Sequence, residues 1–118
     1  THGFLFNSAI EAMEHLRMRG IAASVVNLRT VVPLDEDAVI RCLDESDLVV
    51  TLEDHFETGG LTTMVAELMM RQRLSAPVRS IAFRERWFRP GLLNDVLRFE
   101  GMTGEAIADA VIEELVTR

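Results

Sequence analysis

Cysteine is almost absent from this sequence, and the single thiol, Cys42, has no partner for an internal disulfide. It also excludes every zinc site built from several thiolates. Cys42 falls in the apolar part of an expected helix, with no activating base nearby in sequence, and reads as an inert thiol. Positive charge is in deficit too. Twelve basic side chains face 19 acidic ones, so a polyanion meets net repulsion from a chain of formal charge −7 and nucleic-acid binding is not expected. Long apolar runs are missing: none approaches the ~20 residues of a membrane-spanning helix, and the amino terminus lacks the basic-then-apolar layout of a secretory signal. A soluble, cytoplasmic protein that binds no membrane is the expectation.

What is present suits one folded domain over residues 1–118. With 48% apolar and 26% charged residues, the chain has enough greasy surface to bury a core and too little charge imbalance for a disordered segment. No internal repeat, low-complexity stretch or linker divides it.

From Ser8 to Arg19, Ala9, Ile10, Ala12, Met13 and Leu16 recur at helical spacing, with Glu11, Glu14, Arg17 and Arg19 between them. Ser8 followed by Glu11 fits a capping box, and Gly20 suits the left-handed turn that ends such a helix. Ile21 to Leu28 is nearly continuous in apolar and β-branched residues, which predicts an interior parallel strand buried on both faces. Asp35 caps a helix from Glu36 to about Leu43, with Glu36 and Asp37 at its positive end. A strand over Leu48 to Leu52, a loop over Glu53 to Thr58 and a helix from Gly59-Gly60 to about Leu74 follow. That helix turns Leu61, Val65, Leu68 and Met69 inward. Val78 to Phe83 is a third strand, Leu92 to Phe99 a short helix, and Thr103 caps a last helix reaching Val116.

Strands alternating with helices define the α/β class, a three-layer arrangement with a mainly parallel sheet and helices on both faces. The first helix has no strand before it: only Thr1 to Phe6 precede it, interrupted by Gly3. A first strand is expected to be missing or truncated.

The densest chemistry lies in Glu53, Asp54, His55, Glu57, Gly59 and Gly60, between a strand end and a helix start, where open α/β sheets often bind ligands. A metal pair, an acid-base site and a partner-facing loop compete for it. A metal needs more converging ligands than His55 and its neighbouring acids supply, and acid-base work by Glu53 or His55 needs a pocket that spacing does not reveal. The plainer reading is favoured: Gly59-Gly60 lets the backbone pass close to another element, while Glu53 and Asp54 accept bonds from nearby backbone donors. A phosphate cradle at Gly59-Gly60 lacks the fuller glycine pattern or lysine, and the acids before it repel phosphate. His2 and His15 read as solvent-facing. Arg84, Arg86 and Arg89 around Trp87 and Phe88 form one basic-aromatic segment. It is either a partner surface, since these types are enriched at hot spots, or a loop in which Trp87 and Phe88 fill the domain's own core.

Taken in order, Thr1-His2-Gly3, Ala9 through Leu16, Gly20-Ile21, Val25 through Pro33-Leu34-Asp35, and Val50 through His55 with Gly59-Gly60-Leu61 form a pattern across most of the chain. This pattern resembles the carboxy-terminal domain shared by transketolase, 1-deoxyxylulose-5-phosphate synthase and the β subunits of 2-oxoacid dehydrogenases. The part from Arg84 onward is similar only in outline. The family domain begins with a strand ending in a Thr-Gly-like turn, here Thr1-His2-Gly3, so the resemblance agrees with the missing first strand. It implies that thiamine diphosphate and magnesium belong to two preceding domains, that this domain holds neither, and that it packs against those domains and helps form a homodimer. No residue receives a catalytic, cofactor or metal role. Glu53, Asp54, His55, Gly59 and Gly60 are assigned to loop shaping or domain contact, and Arg86, Trp87 and Phe88 to an interface. The likeness is greatest to transketolases encoded as split halves, although Asp54 stands where the family more often has glutamate. A free-standing α/β binding module and an enzyme using Glu53 and His55 are the readings from other classes.

Overall fold

Helical and strand periodicities become five α-helices and two parallel strands among the described residues of a computed structural model, which describes all but residues 85 and 88. A 3-10 turn, Gly3–Leu5, leads straight into α1, Phe6–Met18. Leu5 occupies the cap position with no side-chain bond, so Ser8 and Glu11 lie inside the helix and the expected capping box does not form. The reason lies upstream. Gly3 takes φ +71°, the turn closes with the Phe6 amide donating to the Gly3 carbonyl, and the chain is already helical at Ser8. The other end follows the sequence: Gly20 sits at φ +78°, its amide donates to the Arg17 carbonyl at 3.0 Å and that of Ile21 to Leu16 at 3.0 Å.

α2, Glu36–Glu45, is capped by Asp35, whose carboxylate accepts from the Ala38 amide at 3.0 Å. β1, Val49–Phe56, runs past the expected end at Leu52 and takes up Glu53 to Phe56, which the sequence placed in a loop. It pairs in parallel with β2, Val78–Phe83, from Val49 opposite Val78 to Leu52 opposite Ile81; the register then shifts before Phe56 meets Phe83. Four residues of advance on β1 match two on β2, so the strand bulges where the acidic residues sit. Between the strands lies α3, Leu61–Gln72, and after them come α4, Leu93–Phe99, and α5, Gly104–Val116. Thr103 caps α5 by accepting from the Ala106 amide at 3.3 Å.

The sheet divides two cores. Leu5, Ala12, Leu16, Ile107 and Val111 from the α1 and α5 side pack on Leu52, while Val39, Leu43, Leu61, Val65 and Leu68 join α2 to α3 on the other face. β1 serves both, with Val50 and Leu52 turned to the first and Val49 to the second. Each fully buried leucine, such as Leu68 with no exposed surface, stabilises the fold by roughly 1.5–3 kcal/mol.

One expected strand is not formed. Residues 21–28 are not hydrogen-bonded into the sheet, and Ala22, Ala23, Ser24 and Val26 are exposed. Ile21 and Val25 still lean on the α1/α5 core and Leu28 on the α2/α3 core, so the segment keeps a strand's alternation without a strand's neighbour. Its one rung is with Thr1, which donates from its amino group to the Val26 carbonyl at 3.0 Å and accepts from the Leu28 amide at 2.8 Å. Between this segment and β1 lies a gap, lined by Ser24 and Val26 on one side and Leu48 and Val50 on the other. No strand precedes α1 among the described residues.

Candidate functional site: a buried carboxylate and an aromatic rim

Glu53 is fully buried, and its position on β1 explains why. The alternation that sends Leu52 to one core sends Glu53 to the opposite face, where α3 begins. One carboxylate oxygen accepts from the Leu61 amide at 2.7 Å and the other from the Thr62 amide at 3.1 Å. A carboxylate at a helix start answers both the free amides and the positive dipole end. Gly60 is what lets it arrive: a Cβ there would overlap the Glu53 carboxylate, although Gly60 itself has an ordinary extended backbone.

Around this pair runs a polar chain that spacing alone did not disclose. The Thr62 hydroxyl lies 2.7 Å from that of Thr51, 2.8 Å from that of Ser80 and 3.4 Å from Glu53 Oε1, tying β1, β2 and α3 together. The available signal was Thr51, a hydroxyl between Val50 and Leu52 in a strand buried on both faces, which demands a buried partner. His2, expected to face solvent, is half-buried, with Nε2 3.7 Å from Glu53 Oε2. Cys42 is half-buried on α2, and His15 is half-buried rather than solvent-facing.

The other expected residues lie apart from Glu53. Asp54 and His55 are exposed, and His55 Nδ1 lies 3.0 Å from the Phe56 carbonyl. Gly59 takes φ +83°, and its amide donates to the Thr63 hydroxyl at 2.8 Å. With the first α3 amides bonded to Glu53, the Gly59-Gly60 turn has no free cradle for a phosphate. No three His, Cys, Asp or Glu side chains converge as metal ligands among the described residues.

The basic-aromatic segment forms a separate surface. Arg86 holds Glu100 with two bonds, 2.8 and 3.0 Å, and the Arg86 and Arg89 guanidinium groups lie 5.6 and 5.0 Å from the centre of the Phe99 ring. Trp87 is 82% exposed, which overturns its placement in the domain's own core; its ring meets that of Phe56 edge-on at 5.7 Å. Phe88 lies outside the described residues.

Fold and site together define an α/β domain whose one acid-rich motif closes a strand-to-helix junction. Residues 1–107 match the family described as the carboxy-terminal domain of transketolase, and the chain belongs to that family. It is 35% identical over 107 residues to a putative transketolase C-terminal section from Methanocaldococcus jannaschii, covering 91% of this chain and 33% of that protein. It is 32% identical over 111 residues to a 1-deoxy-D-xylulose-5-phosphate synthase from Caldanaerobacter subterraneus subsp. tengcongensis, covering 94% of this chain and 18% of the relative. Among solved structures, a split gene transketolase described as an inactive β4 tetramer superposes with a TM-score of 0.87 at 29% identity, covering 98% of this chain and 37% of the other. The chain thus spans a third or less of the curated relatives it matches.

Proposed function

We propose that this chain is the carboxy-terminal assembly domain of a thiamine-diphosphate-dependent enzyme of the transketolase type, which transfers two-carbon ketol units, and that it does not catalyse alone. The observation that carries the reading is the fate of Glu53: of the acids at the strand-to-helix junction it is the one that is fully buried, and it is bonded to the Leu61 and Thr62 amides. A carboxylate so held shapes the domain and is out of reach of a substrate. Among the described residues nothing fits a diphosphate and magnesium site, since the Leu61 and Thr62 amides at the start of α3 are bonded to Glu53 and no three His, Cys, Asp or Glu side chains converge to hold a metal. Thiamine diphosphate and magnesium are accordingly assigned to preceding diphosphate- and pyrimidine-binding domains of the parent enzyme. The parent is read as a cytoplasmic homodimer, with Arg86, Trp87 and Phe99 on the contact surface. Aromatic and arginine side chains are the types that dominate such surfaces.

A second reading, the same domain in a deoxyxylulose-phosphate synthase, is supported by the 32% identity to the Caldanaerobacter enzyme. Calorimetric titration of the chain with thiamine diphosphate and magnesium, repeated after adding the separately produced preceding domains, tests the assembly reading. No heat from the chain alone, with tight binding and ketol transfer in the mixture, is the expected result. Saturable binding to the chain alone would refute it. Formation of 1-deoxy-D-xylulose 5-phosphate by the mixture, in place of ketol transfer between sugars, selects the second reading.

A further inference from the structure

We propose that the outer edge of β2 is a self-association surface, on which a second copy of this chain lays its own β2 antiparallel across a two-fold axis at Ser80, so that the two sheets join. The inference stands on the geometry of this edge and does not rest on the enzymatic reading above. The contact is a second one, beside the Arg86, Trp87 and Phe99 surface.

β2 has one strand neighbour among the described residues, β1, and the bonds to it fix which way its backbone points. The Pro77 carbonyl accepts from the Val49 amide at 2.9 Å, and that of Phe83 from the Glu57 amide at 2.9 Å. With a period of two, Arg79 and Ile81 also turn their polar backbone to β1, and Val78, Ser80 and Ala82 turn theirs outward. Helices pack on both faces of the strand, yet all six of its residues keep some exposure, which leaves this edge as the open side. Strand edges are commonly blunted by proline, lysine or an outward charge. None of these guards β2: Val-Arg-Ser-Ile-Ala-Phe holds neither proline nor lysine, and its one charge, Arg79, is turned to Glu114 of α5 at 2.7 Å.

The borders of the edge choose the occupant. Beside β2 lies a groove of about 380 Å³, whose α3 wall is Thr62, Val65, Ala66 and Met69. That stripe carries no charge and is small at Thr62 and Ala66, while Glu67 and Arg71 lie off it, so a second α3 can come alongside. The charged side chains lining the groove are Arg79, Arg84, Glu57 and Glu114, two of each sign. A strongly acidic or basic segment finds no complementary field there. Two copies of a chain of charge −7 repel overall, and a border that balances its own charges adds nothing to that repulsion. The strand itself is self-complementary in one register. With Ser80 opposite Ser80, Val78 meets Ala82 and Arg79 meets Ile81, so no like charges stand opposite each other. In the same register the outward amides and carbonyls of Val78, Ser80 and Ala82 all find partners.

The test is cross-linking in the chain carrying Cys42→Ser. Ser80→Cys is expected to give a disulfide-linked dimer under mild oxidation, because the pairing sets the two Cα atoms of position 80 about 5.5 Å apart, within disulfide reach. Ala82→Cys sets its two Cα atoms roughly 14 Å apart and is expected to stay unlinked. Cross-linking through Ser80→Cys should persist when Trp87→Ser is added, which separates this contact from the aromatic one. In the unsubstituted chain, hydrogen exchange at the Val78, Ser80 and Ala82 amides should slow by about tenfold or more from dilute to concentrated solution, while Arg79 and Ile81, which face β1, keep their rates. If Ser80→Cys unfolds the chain by breaking the bond to Thr62, the exchange pattern decides alone. A folded Ser80→Cys chain that does not link, equal linking at positions 80 and 82, linking lost with Trp87→Ser, or exchange at the three outward amides that ignores concentration overturns the proposal. Because no readout involves a cofactor, the outcome is independent of the thiamine titration.

Discussion

At the scale of single residues, Glu53 and Gly60 act as one unit, and the structure says how to separate them. Glu53 places a carboxyl group where solvent does not reach, and what makes this tolerable is two amide donors at the positive end of α3. Replacing it with Gln turns an amide donor toward donors, and Glu53→Gln is expected to lower the unfolding free energy by about 2 kcal/mol in urea titration. Glu53→Ala leaves both helix amides without an acceptor and costs about 3 kcal/mol. Gly60→Ala works through space alone, because its backbone suits any residue while a Cβ meets the Glu53 carboxylate; about 1–3 kcal/mol is lost. Since the clash needs the carboxylate, Gly60→Ala introduced into Glu53→Ala is expected to cost at least 1 kcal/mol less than in the native chain. Additive costs in that cycle would mean that the two residues do not meet.

At the scale of elements, the caps give a sharp contrast. Asp35 and Thr103 each accept a bond from an amide three residues on, so Asp35→Ala and Thr103→Ala should each destabilise by about 1 kcal/mol. Ser8→Ala should change stability by less than about 0.5 kcal/mol, because Ser8 stands within α1 and caps nothing. A loss at Ser8 equal to that at Asp35 would restore the capping box. The same contrast shows what the sequence can and cannot display. Asp35, Gly20 and Thr103 were legible because a cap or a stop is local, decided by a side chain and the three or four residues beside it. Ser8 misled because the start of α1 was settled upstream, by a positive-φ glycine that the Ser-x-x-Glu spacing does not include. Glu53 to Phe56 read as a loop because acidic and histidine side chains suit strands poorly; they remain in β1 because Glu53 finds donors eight and nine residues away. Residues 21–28 read as an interior strand because composition reports the appetite of a segment and not the presence of a neighbour; the segment stays outside the sheet, with Ala22, Ala23, Ser24 and Val26 exposed. The role of Glu53 as an acceptor of backbone bonds was legible; Thr51, Thr62 and Ser80 were not, since their meeting depends on the parallel register.

At the scale of the whole molecule, the large apolar side chains left exposed are unevenly placed. Trp87, Leu92, Leu93 and Phe99, exposed by 82, 78, 55 and 55%, fall within thirteen consecutive positions, and two arginines stack over Phe99 at the same place. Such a concentration on a chain of net negative charge is a contact surface in the homodimer reading, since scattered apolar residues need no explanation and clustered ones do. Trp87 is the only tryptophan, so its fluorescence reports on this surface alone. Emission should sit at the wavelength of water-exposed indole in dilute solution and move to the blue as concentration rises, in step with self-association in sedimentation. Trp87→Ser should weaken that association by about thirtyfold, the loss of a hot-spot residue worth about 2 kcal/mol. Folding should suffer by no more than about 1 kcal/mol, because Trp87 is 82% exposed and, among the described residues, the ring contact removed is the edge contact with Phe56. A chain that sediments as a monomer at every concentration, its tryptophan emission unmoved, would remove this surface from the assembly.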